Sequence, residues 1–129
     1  MVGIVDYGTG NLKSVQNALG RIGAENIVSS DFDTLQKCSH IILPGVGSAG
    51  WAMENLVASG LAGQIEKFTQ PVMGICLGMQ LQFEKSFEYG VHEGLGLIKG
   101  EIRPIKDVIP EGLKIPHIGW NSLTYPNKG

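Results

Sequence analysis

Pro71-Val72-Met73-Gly74-Ile75-Cys76-Leu77-Gly78-Met79-Gln80 reads as a short buried strand that runs through Gly74-Ile75-Cys76-Leu77-Gly78 straight into a helix. This has the form of a nucleophile elbow with cysteine in the place of serine. Glycines two before and two after the cysteine relieve the crowding of a sharp strand-to-helix turn and lift the side chain clear of a sheet. The helix predicted over 77–85 points N–H groups and its positive end at the sulfur, surroundings that suit a thiolate. A free cysteine is more often an inert buried residue. Cys38, with no glycine frame, reads as that kind of packing residue at a helix end.

Outward from the elbow, apolar runs alternate with helical patterns. Val2-Gly3-Ile4-Val5 and His40-Ile41-Ile42-Leu43 are bounded by Gly-rich loops and read as parallel core strands, with a weaker strand over 24–28. Leu12, Val15, Leu19 and Ile22 recur at helical spacing, and Gly23 closes that helix. Ser29-Ser30-Asp31-Phe32-Asp33 supplies caps for a short helix to about Cys38, and 51–57 and 61–68 are helical pieces split at Ser59-Gly60. After the elbow helix, 87–96 reads as loop. Leu97 to Ile105 reads as a hairpin or a bent strand with Gly100 at the bend, and 122–129 as turn. The alternation predicts an α/β fold: a doubly wound, mainly parallel sheet with helices on both faces. Ligands of such sheets sit beyond the carboxyl ends of the strands, so the loops after Val5, Leu43 and Ile75 can share one pocket.

The bulk numbers narrow the function class. At 129 residues the chain fits one domain, and 43% hydrophobic with 17% charged residues is an ordinary globular balance. A net charge of −2 without basic runs argues against nucleic acid and anionic membranes as partners. The opening Met1-Val2-Gly3-Ile4-Val5-Asp6 lacks the basic start and apolar core of a signal peptide, and no run approaches a membrane span. Two cysteines outside any C-x-x-C spacing point to a reducing cytoplasm. No His, Cys or acid cluster has metal-ligand spacing, and Gly8-Thr9-Gly10 falls short of a dinucleotide fingerprint, so neither metal nor cofactor is expected.

Gly74-Ile75-Cys76-Leu77-Gly78-Met79-Gln80 resembles the nucleophile motif of the class I (triad) glutamine amidotransferases. Within that family, Val5-Asp6-Tyr7-Gly8-Thr9-Gly10-Asn11-Leu12, Pro44-Gly45-Val46-Gly47 and Pro116-His117-Ile118-Gly119-Trp120-Asn121 together resemble the glutaminase subunits of imidazole glycerol phosphate synthases, of histidine biosynthesis. Met79, where many class I enzymes have His, narrows the match. The resemblance implies a cytoplasmic glutaminase, with L-glutamine as substrate and a cyclase subunit, bound as a heterodimer, as the receiver of ammonia. Cys76 is then the nucleophile, and the backbone N–H groups of Leu77 and Val46 are the oxyanion donors. Gly45 and Gly47 line the glutamine site, Gln80 contacts the bound glutamine, and Glu88 recognises its α-amino group. Asn11, Pro116, His117, Trp120 and Asn121 form the docking face, although Trp120 as a core residue stays open. None of His40, His92 and His117 resembles the family's late His-Pro-Glu type base segment. The expectation is therefore the N-terminal part of a single amidotransferase domain, truncated before its triad histidine and acid. Two alternatives stand beside it: a paralogue feeding ammonia to another acceptor, such as a surface sugar, and a non-catalytic remnant that binds a partner.

Overall fold

The computed structural model describes residues 1–124; residues 125–129, the end of the expected turn segment, lie outside the described residues. Strands β1 (Val2–Val5), β2 (Asn26–Ser29), β3 (His40–Leu43) and β4 (Val72–Gly74) form one sheet in the order β2-β1-β3-β4. Every pairing is parallel, with Gly3 beside Ile27 and Ile41, and Ile41 beside Val72. Between them lie α1 (Leu12–Arg21), α2 (Phe32–Gln36), α3 (Ala49–Ala58) and α4 (Ala62–Ile65). This is the α/β fold the alternation predicts. Its chain leaves β1 towards β2 on one side and returns to β3 on the other, so the loops after β1 and β3 part at the switch point where such sheets bind ligands.

Residues level across a parallel sheet share a face, which sorts the helices. Gly3, Val5, Ile41 and Leu43 look towards α2–α4, where Leu35, Leu56, Leu61 and Ile65 complete the core. On the other face Ile4 is fully buried, and Gln16 of α1 reaches Asn26 of β2 at 3.5 Å. That face thins out towards β4. Met73, expected in a buried strand, is 63% exposed, because β4 ends the sheet and no described element covers its outer side. Ile22 of the predicted helical stripe also points to solvent, one residue past the end of α1.

A second, smaller sheet follows the elbow: β5 (Phe83–Ser86) between β6 (His92–Glu93), antiparallel, and β7 (Ile98–Ile102), parallel. Here the sequence expectation is corrected. The helix after Cys76 is one turn, α5 (Leu77–Gln80), rather than a helix over 77–85. The carbonyls of Leu81 and Gln82 accept from the N–H groups of Leu95, at 2.7 Å, and Ile98, at 2.9 Å, instead of from a following helical turn. Tertiary partners thus satisfy the backbone that propensity would have kept helical. The stretch 87–96 is likewise not all loop, since β6 lies in it. Of the two readings for Leu97 to Ile105, the bent strand is observed, with Gly100 at φ +127°.

Candidate active site

Cys76 links β4 to α5 with φ +52° and ψ −115°, a conformation uncommon for any residue but glycine and one that stores strain at functional sites. Its side chain is exposed, whereas Cys38 is buried among Leu35 and Ile41. The two framing glycines have separate steric reasons. A β-carbon on Gly78 would land on the Leu43 carbonyl, and one on Gly74 would collide with the Met79 backbone and the Gln82 amide. The turn is thus pressed between β3 and its own helix with no room for a methyl group. Within it, the Gly78 N–H donates to Ile75 O at 2.9 Å, and Met79 and Gln80 both donate to Cys76 O. Among the described residues the Leu77 N–H has no hydrogen-bond acceptor, which leaves it free beside the sulfur's residue. A single turn aligns few peptide dipoles, so the long helix expected to favour a thiolate contributes less than the sequence implied.

The loop after β3 closes over this turn. A β-carbon on Gly45 would approach the Gly78 nitrogen at 2.7 Å and the Tyr7 hydroxyl at 2.8 Å, so only glycine lets the loop come this near. Gly47 holds φ +95°, and Val46 between them is half exposed. The loop after β1 reaches the same place: the Tyr7 hydroxyl donates to Pro44 O at 2.7 Å and Thr9 Oγ1 to Val46 O at 3.4 Å. Burial pushes the Tyr7 phenol up from its ordinary value, and the neighbouring Thr9 hydroxyl partly offsets this. The loop after β3 therefore packs on the elbow at Leu77 and Gly78, and the loop after β1 is tied to it through Tyr7 and Thr9.

Gln80 and Glu88, distant in sequence, line one open cavity of about 520 Å³ together with Phe87, Arg103 and Ile115. Gln80 stands one turn past Cys76, its N–H 3.2 Å from Cys76 O, which ties the cavity to the elbow. Over its wall, the Arg103 guanidinium stacks 4.5 Å from the Phe87 ring and pairs with Glu101 at 2.7 Å.

The late segment stands apart from these contacts. Pro116, His117, Trp120 and Asn121 are exposed, with Asn121 Nδ2 3.0 Å from His117 Nε2. Trp120 is fully exposed, so the core alternative for it does not hold. Asn11 is exposed as well and caps α1, accepting from Ser14 N at 3.2 Å. The histidines have other neighbours: His40 Nδ1 lies 3.1 Å from Ser39 Oγ, and the His92 ring packs on Gly50. Among the described residues no group of three His, Cys, Asp or Glu could hold a metal ion, and no helix is long and apolar enough to cross a membrane.

Three residues at the site escaped the sequence reading. Tyr7 and Thr9 stand inside a motif quoted for its resemblance, yet only the fold carries them to the β3 loop. Gln82, buried, donates to Gly78 O at 3.3 Å and props the elbow from beneath. Nothing in its spacing marks it.

The geometry agrees with what the chain resembles. The family model for class-I glutamine amidotransferases matches residues 3–125. Imidazole glycerol phosphate synthase subunit HisH of Wolinella succinogenes is 52% identical over 125 residues, 94% of this chain and 61% of that protein. The HisH subunits of Sulfurimonas denitrificans and Bacillus licheniformis are 49% and 50% identical over 127 and 128 residues, each covering 95% of this chain. The chain spans about 60% of the length of these relatives. A crystal structure of a glutamine amidotransferase superposes with a TM-score of 0.65 over 78% of this chain and 54% of its own, at 20% identity, a likeness of fold. A cysteine elbow, its glycine frame and a family match over nearly the whole chain lead to one conclusion: the chain belongs to the class-I glutamine amidotransferases.

Proposed function

We propose that this chain carries the nucleophile half of a glutaminase, hydrolysing L-glutamine to glutamate and ammonia for a cyclase subunit that makes imidazole glycerol phosphate. The observation that carries the reading is Cys76, exposed at φ +52° with a free Leu77 N–H next to it. The thiolate adds to the carboxamide carbon, and Leu77 and Val46 N–H groups stabilise the oxyanion. As the C–N bond breaks, ammonia leaves with a proton given by a general acid, and water, giving its proton back to that group, then hydrolyses the γ-glutamyl thioester to glutamate and releases the Cys76 thiolate. Gly45, Gly47, Gln80 and Glu88 hold the substrate; the cavity shared by Gln80 and Glu88, which Gly45, Gly47 and Cys76 do not line, supports the last two. None of His40, His92 and His117 is the base in this reading, since the first and last bond Ser39 and Asn121 and His92 packs on Gly50. The exposed Pro116, His117, Trp120 and Asn121, with Asn11, form the face for the cyclase subunit of the heterodimer, in the cytoplasm.

Mass spectrometry of the chain treated with a glutamine-analogue chloroketone tests the chemistry. Cys76 should be modified, and L-glutamine should protect it; modification indifferent to glutamine would refute the substrate assignment. Trp120 fluorescence should shift to the blue when the cyclase subunit is added. An unchanged spectrum alongside co-migration would place the docking face elsewhere.

A further inference from the structure

The cavity lined by Gln80 and Glu88 also carries two bases, Arg103 and Lys106, in a wall that is otherwise mostly apolar. The bases differ in how they are held. The Arg103 guanidinium lies 4.5 Å from the centre of the Phe87 ring, and its Nε and Nη2 donate to Glu101 Oε2 at 3.1 and 2.7 Å. Glu101 does not line this cavity, so it grips the guanidinium from outside. A guanidinium has five N–H donors. Among the described residues no acceptor takes the Nη1 hydrogens, which leaves the edge shared by Nη1 and Nη2 for an anion. Lys106 has no ion pair among the described residues, and its stem is flexible. The one acid of the cavity is held as well. Glu88 opens a tight turn, with its N–H 3.4 Å from Ser86 Oγ and with Tyr89 and Gly90 following at φ +55° and +119°.

We propose that Arg103 sets specificity for the α-carboxylate of the substrate, its unpaired guanidinium edge taking that group while Glu88 takes the α-ammonium. The inference rests on the glutaminase reading and deepens it. An ammonium and a carboxylate on one carbon distinguish an α-amino acid from other amides, and the cavity offers one partner for each. Cys76 does not line the cavity, but Gln80 does, one helical turn further on, and such neighbours have β-carbons about 5–6 Å apart. In glutamine three carbon–carbon bonds separate the carboxamide carbon from the α-carbon, a span of the same order. The carboxamide can therefore lie at the sulfur while the charged end lies between Glu88 and Arg103. Phe87 and Glu101 fix the guanidinium before the substrate arrives, so little side-chain freedom is lost on binding.

The test compares two chloroketones on the full chain. One is the L-glutamine analogue; the other is its decarboxylated counterpart, which keeps the ammonium and the chloroketone and lacks only the carboxylate. With both, the Cys76 thiolate attacks the CH₂ carbon, the S–C bond forms, the C–Cl bond breaks, and chloride leaves with the electron pair. The ratio of the two rates measures what the carboxylate contributes and cancels any change in the thiol itself. The ratio should be well above one in the native chain. Arg103→Gln should lower it about tenfold, the scale of a hydrogen bond to a charged group, and Lys106→Gln should leave it nearly unchanged. Buried Cys38 reports the fold, since it stays unlabelled in an intact chain. Should Arg103→Gln expose Cys38, Arg103→Lys, which keeps the charge but loses the fork, should show the fall instead. A native ratio near one, an unchanged ratio without the guanidinium, or a fall that follows Lys106→Gln instead would each overturn the assignment of Arg103. The glutaminase reading fails separately, if L-glutamine does not protect native Cys76 from its own analogue.

Discussion

Gly78→Ala measures how tightly the elbow is pressed on the sheet. The added methyl carbon would meet the Leu43 carbonyl, a backbone atom with no rotamer to yield, and would also crowd Pro44. Relief requires α5 to move away from β3. That movement pulls on the Ile75 N–H bond to the same Leu43 oxygen, 3.0 Å in the native turn. Overpacking of this kind costs about 1–3 kcal/mol, and weakening the hydrogen bond adds about 1 kcal/mol. Together this is roughly 2–4 kcal/mol, a large share of the ~5–15 kcal/mol that holds a domain folded. Urea unfolding followed by circular dichroism should show the midpoint fall by roughly 1–2.7 M, for a slope of about 1.5–2 kcal/mol/M. Gly20→Ala is the control. Gly20 lies in α1 with no atom within 4 Å of a built β-carbon, so alanine there should stabilise by about 0.5–1 kcal/mol. If Gly78→Ala leaves the midpoint unchanged or raises it as the control does, the close approach of elbow and sheet is refuted.

Three further outcomes follow from the same contacts. In the native chain iodoacetamide should modify exposed Cys76 and leave Cys38, 5% exposed, intact until urea opens the core; equal labelling by peptide mass would remove the distinction between them. Tyr7 predicts an alkaline limit: its folded pKa lies above the ordinary value of about 10 because of burial. The unfolded phenol therefore ionises first, and stability that is complete below pH ~10 is lost as pH rises towards the folded value. Tyr7→Phe should flatten the urea midpoint between pH 9 and 11, and an unflattened profile would count against the buried phenol. Asp31 caps α2, accepting from Thr34 N at 2.8 Å and Thr34 Oγ1 at 2.6 Å, and these bonds lower its pKa. Its contribution is present above the ordinary carboxylate value of about 4 and is lost as pH falls through the lower folded value. Asp31→Ala should reduce the pH dependence of the midpoint between pH 2 and 5, and an identical acid limb in both chains would show that the cap does not contribute.

The elbow was legible because its requirement is local. A sharp turn at a nucleophile demands glycine on both sides, and that demand shows as Gly74 and Gly78 around Cys76. The parallel strands were legible for a similar reason, since Val2–Val5 and His40–Leu43 are apolar at nearly every position. The end of α5 was not legible. Leu81, Gln82 and Phe83 have no breaker among them, and the helix stops because Leu95 and Ile98 supply N–H donors from far along the chain. Met73 was misread as buried for an equally non-local reason: an apolar side chain says that burial is favourable, not that a covering element is present.

The amino-acid sequence by itself determined the alternation of strands and helices, the cysteine with its two glycines, and the family to which the chain belongs. These depend on backbone sterics and on burial over short stretches. Only the tertiary structure decided that Tyr7 and Thr9 hold the carbonyls of Pro44 and Val46, that Gln80 and Glu88 share a cavity, and that Gln82 props the turn. Each joins residues whose meeting depends on sheet order and packing, where the energy of a contact is set by distance in space and leaves no period or spacing along the chain.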